Sequence, residues 1–582
     1  MLTMIALLRT PVVSAGTHLA WLSAVRTSLD SRRLSAIHKT VLDLLMRRQQ
    51  GGVMAASTDS SVRHTQGYHP PAITGLVDVF DWHVRDRPGA PALIVGANRT
   101  SISYSTLAGV VDDVATRLAE SGLRPGDVVG LVCVNTVEFV VALLGAARAG
   151  LVVAPLDPAL PSSQMAARLE GLAAKAVLIG PATSDAGRAI PLNFPTSAVR
   201  VDISTGAATA TLETGGRAIQ HAQGAAPGLS NDDAIVLFTS GTTDRAKMVP
   251  LTHANVATSV RGICATYELG TGDATVAVMP FFHGHGLIAV LLSSLASGGC
   301  VLLPERGRFS AHTFWDDVQA AAATWFTAVP TIHEILLRRS AADYPGRQAV
   351  PLRFVRSCSA PLNIATARAF ERIIGAPMLS AYGMTETTHQ AISERLPIRE
   401  PRRRGSVGRP TEVDIRVVDP NGHACPAGTE GEVWVHGPTV ARGYLDNPAE
   451  TARNFPDGWF RTGDLGLLDT GGYLFLTGRI KNLIIRAGEK ISPEHVESIL
   501  ARCTGVVEAA VFAISDATYG ERVGAAVVVS QADRVGPDQI LRECRNGLSP
   551  FEVPETLIVV DALPHTAKGA LDRRVVHEQY AN

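Results

Sequence analysis

The sequence predicts an α/β protein with helix-covered parallel sheets, followed by smaller units built from short strands. From about residue 74 onward, short apolar runs rich in β-branched residues alternate with amphipathic helical stretches, the pattern typical of parallel sheets. Around residues 412–480 the pattern changes to short strands separated by glycine turns. A compact last section begins after Lys481, and the length of 582 residues allows one large and one smaller domain.

The first part of the predicted sheet consists of a strand, a helix and a second strand. Residues 128–134 (VVGLVCV) form the first strand, Thr136–Ala149 the helix and residues 151–156 (LVVAPL) the second strand. Asn135 and Glu138 interrupt this apolar region, so it lacks the roughly 18 uninterrupted apolar residues of a membrane helix. Further strands of this kind are predicted at residues 175–180, 274–280, 299–304 and 352–358.

The later part of the chain is predicted to form two smaller units. Between residues 412 and 480, the strands EVDIRVVD, GEVWVHG and GGYLFLTG indicate a small antiparallel or barrel-like unit. After Lys481, the stretch LIIRAGEKISP leads into a helix from about Pro493. Two more strands, AAVFAI and GAAVVVS, and a final helix complete the chain.

Composition and charge exclude several classes of protein. The apolar fraction of 46% suits a globular protein with sizeable cores, and the formal net charge of -1 argues against a nucleic-acid binder. The 7 cysteines lie far apart without a C-x-x-C pair, which excludes a zinc ribbon and argues against a disulfide framework. We therefore expect a cytoplasmic protein without a membrane span.

We interpret residues 1–70 as an N-terminal extension that is not globular. Residues 1–50 carry seven Lys or Arg residues against the two acids Asp30 and Asp43. This acid-poor composition also fits a transit-like segment. A start at Met54, close to the folded part of the chain, is a further alternative.

The stretch LFTSGTTDRAK, residues 237–247, raises the question of a phosphate-binding loop. Its small hydroxylated and glycine residues can offer several backbone N–H groups and hydroxyls to one anion. The pattern G-x-x-x-x-G-K-[ST] fails, however, because Ala246 and Met248 occupy two of its positions. From these residues alone, a phosphate cradle and a solvated polar turn both remain open.

Two further stretches combine groups that suit a nucleotide. Tyr382-Gly-x-Thr385-Glu386 offers an aromatic face, a hydroxyl and a carboxylate that could contact a purine, a phosphate and Mg²⁺. The alternative is an ordinary helix start with Thr385 as its N-cap. Asp464 follows a glycine turn, where a carboxylate can accept ribose hydroxyls, and Gly478-Arg479-Ile480-Lys481 and Gly488 come next.

Taken together and in this order, these stretches resemble the adenylate-forming superfamily of acyl-CoA synthetases, luciferases and peptide-synthetase adenylation domains. The resemblance covers roughly residues 75–580, and TSGTT matches the phosphate loop of that family. From His283 onward the chain is most similar to the oxalyl-CoA synthetase branch. That similarity is carried by HGHGLIAVLLSSL, GRFSAHTFWDD, ATWFTAVPTIHEIL and FVRSCSAPL.

The resemblance implies a fold and a two-step reaction. A large N-terminal domain, residues 71–480, would contain two doubly wound subdomains and a small β-barrel. The hinge Lys481 would join it to a small, mobile α+β C-terminal domain, residues 481–582. In the first step a carboxylate attacks the α-phosphorus of ATP·Mg²⁺ and releases pyrophosphate, and in the second the thiol of coenzyme A displaces AMP.

The same resemblance implies roles for individual residues. The groups expected around the β- and γ-phosphates are Thr239, Ser240, Gly241, Thr242, Thr243 and Lys247. Tyr382 would stack on adenine beside Ser359 and Ala360, and Asp464 and Arg479 would hold the ribose. Thr385 would contact the α-phosphate and Glu386 would bind magnesium. His283 would border the acyl carboxylate, and Gly488 would lie in the loop that the thiol arm passes after domain rotation.

This sequence departs from the family pattern in two loops. In the phosphate loop, Asp244 and Ala246 replace glycine and proline, and Met248 replaces the last glycine. Because the Asp244 carboxylate would lie near a phosphate, we expect ATP binding to be weakened but not abolished. The terminal signature Pro-Lys/Arg-Thr-x-Ser/Thr-Gly-Lys reads Pro-His-Thr-Ala-Lys-Gly-Ala here, which places Ala570 at the catalytic lysine position and Lys568 at the preceding Ser/Thr position. Either Lys568 substitutes for the missing lysine or the first step is impaired.

The sequence therefore predicts an ATP-dependent, AMP-forming acid–CoA ligase, with oxalate or another small acid favoured over a fatty acid. The histidines His283, His285 and His389 could donate to a second carboxylate, although for His285 a structural role is favoured. The alternative is a catalytically impaired relative that binds nucleotide or acyl-CoA. An adenylation domain that feeds a carrier protein is disfavoured, because no carrier module precedes the last residue, Asn582.

Overall fold

The structure is a computed structural model that describes residues 73–180, 194–204, 207–215, 228–239, 246–530, 535–566 and 570–581. All described elements belong to one compact unit. The predicted N-terminal extension, residues 1–70, lies outside the described residues. The division into domains 71–480 and 481–582 stays a prediction.

The strands come in several groups along the chain. The first group is β1 (Pro91–Val95), β2 (Thr100–Ser103), β3 (Val128–Val132), β4 (Val152–Leu156), β5 (Ala176–Ile179), β6 (Thr196–Ser204), β7 (Ala207–Gly215), β8 (Asp233–Phe238) and β9 (Met248–Thr252). The second group is β10 (Ala274–Val276), β11 (Cys300–Leu302), β12 (Trp325–Ala328), β13 (Phe354–Ser357), β14 (Met378–Tyr382), β15 (Ile392–Ser393) and β16 (Arg409–Pro410). The third group is β17 (Asp414–Val418), β18 (Gly431–His436), β19 (Phe460–Leu468), β20 (Leu474–Arg479), β21 (Ile484–Arg486), β22 (Glu489–Ile491), β23 (Val506–Asp516), β24 (Gly520–Val529) and β25 (Thr556–Val559).

The helices alternate with the strands in the first two groups. The α-helices described before residue 300 are α1 (Asp81–Asp86), α2 (Tyr104–Glu120), α3 (Val137–Arg148), α4 (Ser162–Gly171), α5 (His253–Tyr267) and α6 (Ser293–Ala296). Those that follow are α7 (Phe314–Ala320), α8 (Pro330–Asp343), α9 (Ile364–Ile374), α10 (Pro448–Asn454), α11 (Pro493–Leu500), α12 (Pro537–Cys544) and α13 (Arg573–Tyr580). A π-helix (His285–Leu292) and short 3₁₀ turns (Thr385–Thr387, Pro456–Gly458, Ile480–Asn482) complete the set.

The largest sheet has the strand order β7-β6-β5-β3-β4-β8-β9. Its centre is parallel, and every residue of β3 and β4 is buried. Burial on both faces explains why these strands appear in the sequence as continuous apolar runs. At one edge, β8 and β9 form an antiparallel hairpin whose connecting loop contains the predicted phosphate-loop residues.

A second sheet has the order β12-β13-β14-β15-β16, with the first three strands parallel. Helix α9 connects β13 to β14, and both of its ends carry residues that favour the start or the end of a helix. The side chain of Asn363 caps its start by accepting a 2.8 Å hydrogen bond from the backbone N–H of Ala365, and the helix ends at Gly375 with φ +76°. Its buried residues Ala367, Phe370 and Ile374 recur at helical spacing and face the sheet core.

The two smaller units follow in sequence order. Strands β17 to β20 form an antiparallel sheet in the order β17-β18-β19-β20, as the glycine-rich pattern predicts. Strands β22, β21, β24 and β23 form the last sheet, with β25 against β24. The predicted strands and helices in both units are therefore confirmed, although several strands are shorter than the apolar runs that predicted them.

Two further observations concern the cysteines and the lengths of the helices. All 7 cysteines are free, and six of them are buried. Within the described ranges, no helix is long and apolar enough to cross a membrane.

Candidate active site

The predicted site residues meet where parallel strands of the second sheet end. Ser359 follows β13, and Thr385 and Glu386 follow β14. Ligands of open α/β sheets bind outside the carboxyl ends of such strands. The hairpin β8–β9 contributes Thr239 and Lys247, whose backbones join through a 3.1 Å bond from Thr239 N–H to Lys247 O.

Part of the phosphate loop cannot be compared with its prediction. Ser240, Gly241, Thr242, Thr243 and Asp244 lie outside the described residues. Thr239 directly follows β8, and Lys247 directly precedes β9.

The predicted ribose-binding residues form a connected group. The hydroxyl of Tyr382 donates a 2.6 Å hydrogen bond to Asp464 Oδ2, and Arg479 Nε lies 2.6 Å from Asp464 Oδ1. Asp464 and Arg479 are direct partners in the β19–β20 pairing. Burial raises the pKa of Asp464, and the Arg479 cation opposes that shift. The carboxylate is thus held in a fixed orientation by two neighbours before any ligand binds.

Glu386 is a buried carboxylate with one strong donor. The hydroxyl of Tyr444 donates a 2.8 Å hydrogen bond to Glu386 Oε1, and Glu386 is 8% exposed. Burial raises the pKa of Glu386, whereas the Tyr444 bond and the Lys247 cation lower it. One carboxylate suits Mg²⁺ that arrives with nucleotide phosphates, because that ion keeps most of its ligands as phosphate oxygens and waters.

The segment after Tyr382 corrects one alternative from the sequence. Thr385 is the first residue of the 3₁₀ turn Thr385–Thr387, and Met384 precedes it as the N-cap residue. The backbone N–H of Met384 donates to Thr387 Oγ1 at 3.0 Å, so Thr387 supplies the side-chain oxygen at this turn. Thr385 is therefore not an N-cap, because the turn begins one residue earlier than the sequence suggested.

Lys247 contacts a second acid and an aromatic ring. Its Nζ donates to Glu450 Oε2 at 2.5 Å and lies 4.6 Å from the centroid of the Tyr444 ring. Tyr444 thus contacts Glu386 through its hydroxyl and Lys247 through its ring. Neither Tyr444 nor Glu450 was identified from the sequence, because both come from a segment about 200 residues after the phosphate loop.

Strand β13 carries a buried arginine, Arg356. Arg356 is 0% exposed, and its guanidinium donates to Tyr267 Oη at 2.9 Å, Thr327 Oγ1 at 3.1 Å and Gln390 Oε1 at 3.0 Å. It also lies 3.0 Å from His389 Nε2. Within the described part of the chain, no carboxylate forms an ion pair with Arg356.

Two histidines connect Arg356 to the exposed side of the site. His285 Nε2 lies 2.7 Å from Thr327 Oγ1, and His285 Nδ1 lies 3.1 Å from the hydroxyl of the exposed Ser359. The rings of His285 and His389 stack with centroids 5.1 Å apart. We call Arg356, Thr327, His285 and His389 the Arg356 cluster.

The electrostatics of the Arg356 cluster favour neutral imidazoles around one cation. Burial lowers the pKa of His285 well below its usual range, and the neighbouring His389 and Arg356 lower it further. Burial and Arg356 do the same for the pKa of His389. In the sequence, Arg356 is marked only by its charge within the strand FVRS, whose four residues are all buried.

Four further predicted residues are His283, Ser359, Ala360 and Lys481. His283 comes just before the π-helix that carries His285, and its ring makes an edge contact with Phe282 at 4.6 Å. Ser359 has φ +73°, an uncommon angle for a residue with a side chain, and Ala360 follows it. Lys481 lies in the 3₁₀ turn between β20 and β21, next to Arg479 and facing the charges of Asp464.

Two loops of the last unit carry further residues that the family resemblance singles out. Gly488, between β21 and β22, has φ +91°, and among the described residues other than its two chain neighbours no atom lies within 4 Å of the position where a Cβ would be. In the terminal loop, Thr566 N–H donates to Ala570 O at 2.8 Å and His565 pairs with Leu571. Lys568 lies outside the described residues.

Comparison with family models places most of the chain in one enzyme group. The model for AMP-binding enzymes matches residues 80–445, and the model for the C-terminal domain of AMP-binding enzymes matches residues 495–570.

Known proteins are similar over nearly their whole length. The oxalate–CoA ligase of Arabidopsis thaliana is 40% identical over 504 residues, which are 85% of this chain and 96% of that protein. The oxalate–CoA ligase of Saccharomyces cerevisiae is 34% identical over 524 residues, 84% of this chain and 94% of that protein. The ATP-bound structure of MatB from Rhodopseudomonas palustris matches with a TM-score of 0.76 and 30% identity, and it covers 87% of this chain and 99% of that chain. The fold class predicted from the sequence is confirmed.

Proposed function

This chain belongs to the AMP-binding enzyme family and is an AMP-forming acid–CoA ligase, and we propose that its acid is oxalate or another short dicarboxylate. The reaction consumes ATP and coenzyme A and requires Mg²⁺. The choice of acid rests on one observation, the buried and unneutralised guanidinium of Arg356.

We assign the nucleotide to the residues that meet at the strand ends. Asp464, held by Tyr382 and Arg479, accepts the ribose hydroxyls, and Glu386 binds the magnesium ion that accompanies the phosphates. When ATP binds, Lys247 exchanges its ion pair with Glu450 for contacts with the phosphates. The oxygens of two phosphate groups attract the ammonium group more strongly than one carboxylate does. Fixed donors of this kind lower the barrier by stabilising charge as it develops on the phosphate.

The buried charge of Arg356 is the reason to expect a second carboxylate on the acid substrate. Removing a guanidinium from water costs several kcal/mol unless a charge or a full set of acceptors compensates for it. In the described residues its partners are hydroxyl, amide and imidazole groups together with the Cys358 thiol, and none of them is a carboxylate. A carboxylate on the substrate would complete this set.

The geometry favours a short acid. The exposed Ser359 contacts His285, and Thr327 contacts both His285 and Arg356, so polar groups continue inward from the nucleotide side. A dicarboxylate without intervening methylenes presents anionic oxygens along this whole path. An alkyl chain would bring no negative charge to the buried guanidinium and would have to pack against polar side chains.

The test compares acids in the wild type and in Arg356→Met. AMP release from a panel of acids should show a higher kcat/KM for oxalate than for acetate or octanoate. Arg356→Met should lower kcat/KM for oxalate by about 100-fold, since losing one partner of a buried charge pair costs roughly 2–5 kcal/mol. The value for acetate should change little, because acetate has no second carboxylate.

Arg353, which directly precedes β13, offers a matched control. Arg353 donates to both carboxylate oxygens of Asp273, so its charge already has a partner in the protein. Arg353→Met should lower thermal stability without changing the ratio of oxalate to acetate activity. If octanoate or longer acids give a higher kcat/KM than oxalate, or if both arginine variants alter acid preference equally, the proposal is wrong.

The second candidate is an enzyme that is slow in adenylate formation. It rests on Ala570, which occupies the position of the lysine in the terminal signature of the family. Adenylate formation would then be slow, while transfer from a supplied acyl-adenylate to coenzyme A would remain fast. Substitutions at Ala570 and Lys568 distinguish the two candidates.

A further inference from the structure

Glu432 lies on the strand next to the carboxylate that we assign to the ribose. It is the second residue of β18, and its side chain is 12% exposed. Its Oε1 accepts a 3.2 Å hydrogen bond from the backbone N–H of Gly463, the residue before Asp464. Glu432 therefore contacts the backbone segment that carries the Asp464 carboxylate.

Residues 462–464 form a bulge in β19. The strand pairs Trp434–Arg461 and Glu432–Leu465 flank it, and between these pairs one residue of β18 lies opposite these three residues of β19. A bulge interrupts the hydrogen-bond ladder and changes the direction of the side chains that it carries. The position of these side chains therefore depends on what holds the bulge.

Side chains hold the backbone of the bulge. Gly463 has φ +70°, a left-handed conformation that interrupts the strand, and its N–H bonds to Glu432. The N–H of Asp464 donates to Thr462 Oγ1 at 3.0 Å. Thr462 Oγ1 in turn donates to the carbonyl oxygen of Val433 at 2.7 Å. These bonds replace the ladder hydrogen bonds that the bulge interrupts.

The second oxygen of Glu432 is held by two neighbouring side chains. Oε2 accepts hydrogen bonds from Trp434 Nε1 at 2.9 Å and from Arg461 Nε and Nη2 at 3.1 and 2.9 Å. The Arg461 guanidinium also lies 5.3 Å from the centroid of the Trp434 ring. The carboxylate thus has a charge partner and a fixed orientation, which keeps Oε1 directed at Gly463.

The bulge determines where the Asp464 carboxylate lies. Asp464 is 3% exposed, and Tyr382 and Arg479 hold its two oxygens. Those partners orient the carboxylate, whereas Glu432 and Thr462 hold the backbone from which it extends. Hydrogen bonds weaken steeply outside a narrow range of distance and angle, so moving this backbone by about 1 Å would weaken the bonds to the ribose hydroxyls.

We propose that Glu432 is a positioning residue for the nucleotide, which fixes the bulge from which Asp464 binds the ribose by accepting the Gly463 N–H. This inference rests on the proposed assignment of Asp464 to the ribose, but not on the identity of the acid. Glu432 therefore sets how strongly the enzyme distinguishes ATP from nucleotides that lack the ribose hydroxyls.

The test measures equilibrium binding, so it does not depend on the rate of either half-reaction. Calorimetric titrations with the magnesium complexes of ATP and 2′,3′-dideoxyATP, without acid or coenzyme A, give the ratio of the two dissociation constants. The wild type should bind ATP more tightly by at least about 10-fold, because hydrogen bonds to a charged group are strong. In Glu432→Ala this ratio should fall to about 3-fold or less, through weaker binding of ATP.

A second substitution of the same residue keeps the size of the side chain. Glu432→Gln has one carbonyl oxygen for the donors of Gly463, Trp434 and Arg461. Its ratio should therefore lie between those of the wild type and Glu432→Ala. This variant provides the measurement if Glu432→Ala does not fold.

Two controls separate positioning from general support of the sheet. Arg461→Met removes donors from Glu432 Oε2 but leaves the bond to Gly463, so it should lower the melting temperature and keep the wild-type ratio. Asp469 directly follows the other end of β19, and its Oδ1 accepts two backbone N–H groups at 2.8 and 2.9 Å. Asp469→Ala is thus matched to Glu432→Ala, and it should also destabilise the protein without changing the ratio.

Asp464→Ala distinguishes a wrong inference from a wrong nucleotide assignment. Its ratio should approach about 1, and adding Glu432→Ala should lower it no further, because both residues act on the same hydrogen bonds. If Asp464→Ala lowers the ratio but both Glu432 variants keep the wild-type value, or if Asp469→Ala lowers it equally, the inference is wrong. If Asp464→Ala itself keeps the wild-type ratio, the ribose assignment is wrong and the inference fails with it.

Discussion

The hydroxyl of Tyr444 donates a 2.8 Å hydrogen bond to Oε1 of Glu386, the carboxylate that we assign to magnesium. Burial and the Glu386 carboxylate raise the pKa of Tyr444, so the hydroxyl keeps its proton and remains a donor. The same hydrogen bond favours the ionised form of a carboxylate whose pKa burial raises. Tyr444 therefore keeps a buried ligand charged and ready for a cation.

Tyr444→Phe removes this donor without changing the shape of the ring. The pKa of Glu386 should rise further, so a smaller fraction of the carboxylate is ionised at neutral pH and the magnesium concentration for half-maximal adenylate formation should increase about 10-fold. A hydrogen bond to a charged group contributes about 1.5–3 kcal/mol, which is consistent with that factor. The activity of the variant should recover as the pH rises. Tyr473→Phe, which removes a 2.6 Å bond to Glu400 on another surface, should leave the magnesium dependence unchanged.

Glu386→Gln tests the metal assignment directly. A neutral amide is a weaker ligand for a hard cation, so most magnesium-dependent activity should be lost while the circular dichroism spectrum and melting temperature stay near those of the wild type. Pyrophosphate release measured against magnesium concentration gives the result. Unchanged turnover at limiting Mg²⁺ would show that the carboxylate only supports the local structure.

Gly488→Leu tests the assignment of the thiol channel. The glycine has φ +91° and open space around it, so the leucine should fit sterically at a cost of about 1–2 kcal/mol for the left-handed backbone. Adenylate formation should persist, and transfer to coenzyme A should fall by at least about 100-fold, because the side chain would obstruct the pantetheine arm. Separate assays of pyrophosphate release and thioester formation distinguish the two.

Gly422→Leu is a matched control for that variant. Gly422 has φ +88° and likewise no atom within 4 Å of a Cβ, but it lies in the remote turn after β17. Its substitution should cost similar stability and leave both half-reactions intact. An equal loss of both half-reactions in Gly488→Leu would point to misfolding instead of a blocked channel.

Ala570→Lys and Lys568→Ala decide how the first half-reaction proceeds. If no residue replaces the missing lysine, Ala570→Lys should accelerate pyrophosphate release strongly and Lys568→Ala should change little. If Lys568 substitutes, its flexible stem beside Gly569 lets it reach the same point, so Lys568→Ala abolishes adenylate formation and Ala570→Lys adds little. Transfer from a supplied acyl-adenylate should be unchanged in both variants. If neither substitution alters pyrophosphate release, the terminal loop is aligned incorrectly with the family signature.

Contiguous motifs of this chain could be predicted because their chemistry is local. The stretch from Tyr382 to Glu386 places an aromatic ring, a hydroxyl and a carboxylate within five residues, and a strand followed by a turn keeps them together wherever the strand lies. The pairing of Asp464 with Arg479 follows from a hairpin with a short turn. Buried parallel strands such as β3 and β4 can also be recognised in the sequence, because each is a continuous apolar run. The residues at which these strands end cannot be recognised in this way, because the ends depend on which neighbouring strand completes the hydrogen bonds.

The sequence by itself thus determined the α/β class, the order of the units and the motif residues that we propose for the nucleotide site. Only the tertiary structure decided that Tyr444 contacts Glu386, that Glu450 holds Lys247, that Arg356 is buried with no carboxylate partner among the described residues, and that His565 contacts Glu508. These contacts join segments that are 57 to 203 residues apart along the chain. Periodicity and motif spacing describe neighbours along the chain, whereas burial and electrostatic partners depend on how the sheets and loops pack.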